Sequence, residues 1–188
     1  MSPLKSFLWP LQAISQALPP QGLIFDLGCG DGVVSQFLAQ AYPQRQVVGI
    51  DQNSSRISAA QRQFQDLPNV SFKVEDINKV NLKSAAGCLL SDVLHHLSPA
   101  SQLQLLNQIS HQLKPRAVCL IKEINRQDML RSKLSRLWDW LLYPQDQIHY
   151  FSAPELTKIM TQLGFKVKFK SVTPWFPGSV CLFTCTKQ

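Results

Sequence analysis

Ile24-Phe25-Asp26-Leu27-Gly28-Cys29-Gly30-Asp31-Gly32 is the stretch on which the reading of this chain turns. A short apolar run enters three glycines at alternate positions. Residues 31–41 follow, with Val33, Val34, Phe37, Leu38 and Ala41 at helical spacing. A buried strand feeding a helix through a glycine turn is the first unit of a doubly wound sheet, where ligands bind at the carboxyl ends of the strands. Glycines there let the backbone approach a ligand closely and take φ > 0. The spacing is GxGxG, not GxGxxG, which excludes the dinucleotide fingerprint and with it a nicotinamide dehydrogenase. Asp26 stands just before the first glycine. A carboxylate there suits a cationic or amine-bearing ligand and opposes a pyrophosphate.

Further along, residues 47–50 form a second apolar strand closed by Asp51, twenty-five residues after Asp26 and suited to the hydroxyls of a ribose. Residues 70–74 form a third, closed by Glu75-Asp76, and Asp76 is placed to accept from an exocyclic amine. Three successive strand ends bearing carboxylates after a glycine loop read as one site, not as separate solvated ends. Residues 87–90 and 117–121 give a fourth and a fifth strand. Residues 54–64 read as a helix capped by Asn53 or Ser54. Residues 98–113 read as another, with Pro99 in its first turn and Leu103, Leu106, Ile109 and Leu113 on one face. This alternation predicts an α/β fold, a doubly wound parallel sheet covered on both sides.

The end of the chain differs. Residues 152–163 read as a helix with Ser152 as cap, Glu155 three residues on, and Gly164 as its stop. Phe165, Val167 and Phe169 then alternate with Lys166, Lys168 and Lys170, a strand with one wet face. Residues 180–184 form one more. Two strands with no helix between them predict an antiparallel hairpin at one edge, its lysines guarding that edge against aggregation.

The 188 residues, 45% hydrophobic and 16% charged, fit one domain over residues 1–188. Residues 1–20 read as a short leader ending at Pro19-Pro20, broken by Pro10 and unlike a signal peptide. No window nears the ~18 apolar residues of a spanning helix. The five cysteines (Cys29, Cys88, Cys119, Cys181, Cys185) form no CxxC, and four lie in apolar runs. Reduced, buried thiols of a cytoplasmic protein are expected, with neither disulfide nor zinc. His111 and His149 have no partners at metal-ligand spacing, so no metal is expected. The net charge of +7 resides in residues 113–188, with twelve Lys/Arg against five Asp/Glu, while residues 1–112 hold seven of each. An anionic partner and an ordinary solvated face both stay open as explanations.

Taken in order, Phe25-Asp26-Leu27-Gly28-Cys29-Gly30-Asp31-Gly32, Val48-Gly49-Ile50-Asp51, Glu75-Asp76-Ile77, Ser91-Asp92-Val93-Leu94-His95-His96-Leu97 and Leu113-Lys114-Pro115 resemble the class I S-adenosylmethionine-dependent methyltransferases. The likeness is strongest to small-molecule enzymes of the type 11 and quinone-biosynthesis kind. Each motif is weak alone, but the ordered set across residues 22–172 is specific. The resemblance implies a Rossmann-like seven-stranded sheet whose final strand inserts antiparallel, with S-adenosylmethionine as cofactor. It implies that Asp26, Gly28, Cys29 and Gly30 flank the methionine part, whose ammonium and sulfonium are cationic. Asp51 would bind the ribose hydroxyls. Gln52 would lie against the adenine, Asp76 would meet its amino group and Ile77 would pack on the ring. Ser91 would line the cofactor near the reactive methyl. The chain departs from the pattern after Asp76-Ile77-Asn78, where no third helix is signalled.

His95-His96 falls where the end of the fourth strand faces the methyl acceptor. A histidine there is suited to deprotonate an acceptor hydroxyl, and the resemblance favours His96 over His95. The competing reading packs one under the next helix and leaves the other to shape the pocket, since alignment does most of the work for a sulfonium leaving group. Residues 126–150 exceed what a sheet domain needs. Leu130, Leu134, Leu137, Trp138, Leu141 and Leu142 share one helical stripe, Arg131, Arg136 and Asp139 lie off it, and Trp140 adjoins its edge. A helix packed on the core, a lid over an apolar acceptor and a basic helix resting on a membrane all stay open. The chain reads as a methyltransferase acting on a small hydrophobic or anionic acceptor. One alternative is an RNA methyltransferase using the basic half. Against it stand the missing Asn/Asp-Pro-Pro-aromatic motif, the lack of a base-attacking cysteine and the lack of an appended RNA-binding module. The other is a non-catalytic cofactor-binding protein.

Overall fold

Apolar runs bounded by turns become the strands of one seven-stranded sheet, in a computed structural model that describes residues 10–124, 149–172 and 180–188. Strands β1 (Gly22–Leu27), β2 (Arg45–Asp51), β3 (Val70–Val74), β4 (Gly87–Ser91) and β5 (Val118–Ile124) pair in parallel. Strand β7 (Val180–Lys187) inserts antiparallel between β5 and the edge strand β6 (Phe165–Ser171). The order is β3-β2-β1-β4-β5-β7-β6. The expected doubly wound sheet with an antiparallel hairpin is therefore the one observed. Its order reverses between β1 and β4, where such sheets open a crevice at the carboxyl ends of their strands.

Alternate residues of each strand serve opposite layers. On one side Ile24, Leu89, Leu120 and Leu182 meet Leu11 and Ile14 of α1 (Leu11–Ala17) and Val34 and Leu38 of α2 (Val33–Ala41). On the other, Leu27, Leu90, Ile121 and Phe183 meet Leu105, Leu106 and Ile109 of α4 (Pro99–Gln112) and Leu156 and Met160 of α5 (Ala153–Gln162). Helix α3 (Ser54–Gln63) closes the β3 end through Ile57, Ala60 and Phe72. The local stops follow their chemistry. Asn53 caps α3 by accepting the Arg56 N–H at 3.1 Å, and Ser152 with Glu155 forms a capping box. Gly164 leaves α5 at φ 80°.

Several boundaries move from the sequence reading. Helix α2 starts at Val33 because Asp31 and Gly32 stay in the turn, Gly32 at φ 75°. Strands β5 and β7 outrun their apolar stretches, since pairing continues through Lys122↔Leu182, Glu123↔Cys181 and Val118↔Thr186. Leu103, expected on the apolar face of α4, is 43% exposed. Gln102 turns inward instead, and its amide donates to the carbonyls of Leu94 (2.8 Å) and His149 (2.7 Å). Among the described residues the β3-to-β4 crossing carries no helix. Four of the cysteines are buried and all five are free, with Cys88, Cys119 and Cys185 aligned across β4, β5 and β7. Their thiols fill core volume, and burial pushes Cys185 well up from ordinary thiol acidity. No helix among the described residues is long and apolar enough to cross a membrane. The expected amphipathic helix of residues 126–150 lies outside the described residues except for His149 and Tyr150.

The described part of the leader, residues 10–20, packs on the core, and Arg45 binds it there. This arginine is fully buried. Its Nε donates to the Pro19 carbonyl (2.7 Å), one terminal nitrogen to Ser15 Oγ (2.8 Å) and the Leu38 carbonyl (3.2 Å), and the other to the carbonyls of Ser15 (2.6 Å) and Leu18 (3.0 Å). The guanidinium also lies over the Tyr42 ring at 4.2 Å. Five N–H groups thus find five oxygens, most of them at the carbonyl end of α1, where a cation is favoured. Arg45→Met keeps much of the apolar stem but removes every donor. It should cost ~2–4 kcal/mol in urea unfolding, since buried carbonyls lose their partners. A loss below ~1 kcal/mol would show that the apolar face of α1 suffices to dock it.

Candidate functional site

The glycine turn is built by β2 as much as by β1. The N–H groups of Gly28 and Cys29 both donate to the Ile50 carbonyl, at 2.8 and 2.9 Å. The Gly30 N–H reaches Asp51 Oδ2 at 2.9 Å, and the Asn53 N–H reaches Oδ1 at 2.8 Å. Asp51 is thereby fixed at the mouth of the turn, and each oxygen keeps acceptor capacity for a further hydroxyl. Gly28 has φ 78°, and a Cβ there would lie 2.6 Å from Val93 Cγ2. The residue must be glycine on both counts.

Asp26 lies beneath this turn, 1% exposed, and accepts the Ser35 hydroxyl at 2.6 Å. Burial drives its pKa up to about 6; the Ser35 bond opposes the rise and the nearby Asp51 charge adds to it. Asp26 is therefore a buried carboxylate next to the glycine turn. Asp76 is held differently. Its Oδ1 accepts the Asn78 N–H (2.9 Å) and side-chain amide (3.0 Å), and these bonds, with one from Gln52, keep its pKa low. Gln52 and Asp76, expected at the same ring, are thus in contact. Ile77 is only 7% exposed and belongs to the core with Val80 and Leu82, so the hydrophobic effect has drawn in the side chain expected to face a ring. Val74, paired with Asp51 in register and 55% exposed, offers apolar surface at that edge instead.

The turn after β4 carries the second half of the site. Glu123 of β5 is 6% exposed; its Oε1 accepts the Leu94 N–H at 2.9 Å, and its Oε2 lies 2.6 Å from His95 Nδ1. The His95 ring stacks on Tyr150 at 4.9 Å and tilts against His96 at 4.2 Å, and its carbonyl accepts the His149 N–H at 3.0 Å. Burial alone would lower the His95 pKa, but the hydrogen bond and charge of Glu123 outweigh it and the net shift is upward. His96 is exposed. Ser91, half-buried, lies beside Lys122 in register. Sequence reasoning missed Glu123, Tyr150, Gln102 and the ion pair of Lys122 with Asp92. The signal for Glu123 was present: β5, like β1, β2 and β3, leads to an acidic residue at its carboxyl end. Among the described residues no group of three or more His, Cys, Asp or Glu side chains could hold a metal ion.

Comparison with known proteins decides the family. A methyltransferase-domain family model matches residues 7–168. This chain belongs to the methyltransferase-domain family. A carboxy-S-adenosyl-L-methionine synthase of Helicobacter pylori is 31% identical over 138 residues, covering 72% of this chain and 57% of that protein. The chain thus spans little more than half the length of that relative. The same fold appears in human N-acetylserotonin methyltransferase, solved with S-adenosylmethionine (TM-score 0.76, 20% identity, 97% of this chain and 53% of that one). It appears also in magnesium protoporphyrin IX methyltransferase from Synechocystis, solved with S-adenosylhomocysteine (TM-score 0.72, 20% identity, 97% and 81%). The methyl donor of class I enzymes, S-adenosylmethionine, suits the donor set described above. Gly30 carries no side chain over the turn, Asp51 can still accept from hydroxyls, and a buried carboxylate favours a cation nearby.

The raised pKa of Asp26 makes a stability prediction. The folded state holds this proton up to about pH 6, whereas an ordinary carboxylate near 3.8 has released it. Ionised Asp26 therefore costs the protein nothing below about pH 4 and its full penalty above about pH 6. Asp26→Asn should raise stability by ~1–3 kcal/mol near pH 7.5 and change it little near pH 4, as read from thermal unfolding at both. An equal effect at the two pH values would mean that the carboxylate is not ionising in the pH range assigned to it.

Proposed function

We propose that the protein transfers a methyl group from S-adenosylmethionine to a small hydrophobic or anionic acceptor. The observation that carries this reading is the meeting of Asp26, Asp51 and Asp76 at adjacent strand ends around an open glycine turn, at the point where the sheet order reverses. In this reading Asp51 takes the ribose hydroxyls, and Gln52 and Asp76 face the adenine. Gly28, Cys29 and Gly30 line the methionine part above Asp26, and Ser91 borders the reactive methyl. The cofactor supplies an electrophilic methyl on a cationic sulfur. The chain supplies alignment, exclusion of water and a place for the acceptor's proton.

His95 takes that proton in this reading, in place of the His96 favoured by the motif. Its Nδ1 is engaged by Glu123, which leaves Nε2 as the basic atom and stabilises the imidazolium once formed. Nε2 would take the proton of an acceptor hydroxyl, while the bound cofactor would supply its methyl group and leave as S-adenosylhomocysteine. Small acceptors are favoured over RNA because the basic residues of β6 lie at the border of the sheet, with three strands between them and β1 with its glycine turn.

Calorimetry tests the cofactor assignment. Wild type should bind S-adenosylmethionine, and Asp51→Ala should weaken binding by ~1.5–3 kcal/mol as a charge-assisted contact is lost. Absence of binding by wild type would sink the proposal. Incubation of methyl-labelled S-adenosylmethionine with a metabolite extract should label a small molecule and release S-adenosylhomocysteine, and His95→Gln should slow this at least ~100-fold with cofactor affinity held. A carboxyl transfer onto the cofactor is the second reading, favoured by the Helicobacter pylori relatives. It predicts a carboxylated S-adenosylmethionine in the mass spectrum and no S-adenosylhomocysteine.

A further inference from the structure

Two neighbouring residues of β5 leave the sheet on opposite faces, and both grip the turn that follows β4. Glu123 shares a row with Cys181 of the α4–α5 layer and holds the Leu94 N–H and His95 Nδ1. Lys122 shares a row with Ser91 and Leu182 of the opposite layer. It is 3% exposed, and its ammonium pairs with Asp92 Oδ2. The main chain repeats the link, since the Asp92 N–H donates to the Lys122 carbonyl at 3.1 Å.

Asp92 stands at φ 57°, a left-handed backbone uncommon for a residue with a Cβ, although Asp takes it more readily than most. A buried ammonium in turn requires a partner, and Asp92 is the carboxylate it meets. The two needs answer each other. The consequence lies downstream. From Asp92 the chain turns so that Val93 fills the space a side chain at Gly28 would need, and the single helical turn Leu94–His96 begins at once. One residue's conformation thus sets both the contact with the glycine turn and the placement of His95.

We propose that Lys122 is a positioning residue of the methyl-transfer site: by holding Asp92 in the left-handed conformation it fixes Val93 on the glycine turn and presents His95 to the acceptor. The proposal rests on the methyl-transfer reading given above.

The test compares wild type, Lys122→Met and the double variant Lys122→Met/Asp92→Gly. Methionine keeps the apolar stem and removes the charge. Glycine adopts φ 57° without strain and removes the carboxylate left unpaired. Two quantities are read at one fixed pH: calorimetric affinity for S-adenosylmethionine, and the NMR resonance of the His95 Cε1–H, assigned with His95→Gln. Lys122→Met should weaken binding roughly tenfold, the scale of one strained left-handed residue, and displace or broaden the His95 signal. The double variant should recover affinity to within about threefold of wild type and restore the signal. An unchanged signal and affinity in Lys122→Met would overturn the proposal. So would a double variant as impaired as the single one, which would place the effect in the lysine's charge or packing. If Lys122→Met does not fold, the double variant decides by the same His95 signal, restored or displaced. A wild type that binds no S-adenosylmethionine would instead refute the methyl-transfer reading, while the His95 signal would still judge the positioning role.

Discussion

Gly28 carries no side chain, and the two halves of the site meet because of it. A Cβ at that position would sit 2.6 Å from Val93, so the turn after β4 packs directly on the turn after β1. The same residue is left-handed at φ 78°, which lets its N–H and that of Cys29 converge on the single carbonyl of Ile50. That convergence ties β1 to β2 just where Asp51 is held by Gly30 and Asn53. A larger residue would push away Val93, and with it the turn on which His95 stands.

The charges of the site are buried in two different ways, and the difference matters for chemistry. Asp26 is buried with a hydroxyl as its bonded partner, so burial dominates and its pKa rises to about 6. Ionised at neutral pH, such a carboxylate carries a desolvation cost that a cation beside it would offset. Glu123 is buried against His95 and the Leu94 N–H, so its oxygens are already engaged. Its effect falls on the imidazole, which it orients and makes more basic. Asp26 is thus a buried carboxylate whose desolvation outweighs its Ser35 bonds, and Glu123 a buried carboxylate engaged by His95 and the Leu94 N–H.

Arg45 does comparable structural work away from the crevice. Its five N–H bonds join α1, the end of α2 and the Pro19 carbonyl to the first residue of β2. No carboxylate is needed, because helix carbonyl ends present enough negative potential to a delocalised cation. Residues 10–18, which composition marks as the end of a leader, become a wall of the core through this side chain together with buried Leu11, Ile14 and Leu18.

The order of apolar runs and helical spacings by itself determined the doubly wound sheet, the antiparallel hairpin, the capped α5 and the cluster of acids at strand ends. These follow from local periodicity and from chain direction, which any single strand or helix carries in its own residues. The GxGxG spacing also sufficed to mark the tight turn after β1, where Gly28, Gly30 and Gly32 all take positive φ, since few residues but glycine hold a left-handed backbone. Only the tertiary structure decided that Asp26 is buried on Ser35, that Ile77 belongs to the core, and that Gln102 rather than Leu103 faces inward. It alone paired Glu123 with His95 across twenty-eight positions, and Lys122 with Asp92 across thirty. Partners so far apart in the chain leave no periodic trace. Which histidine acquires a carboxylate depends on the register of β4 against β5, a property of the sheet and not of either strand.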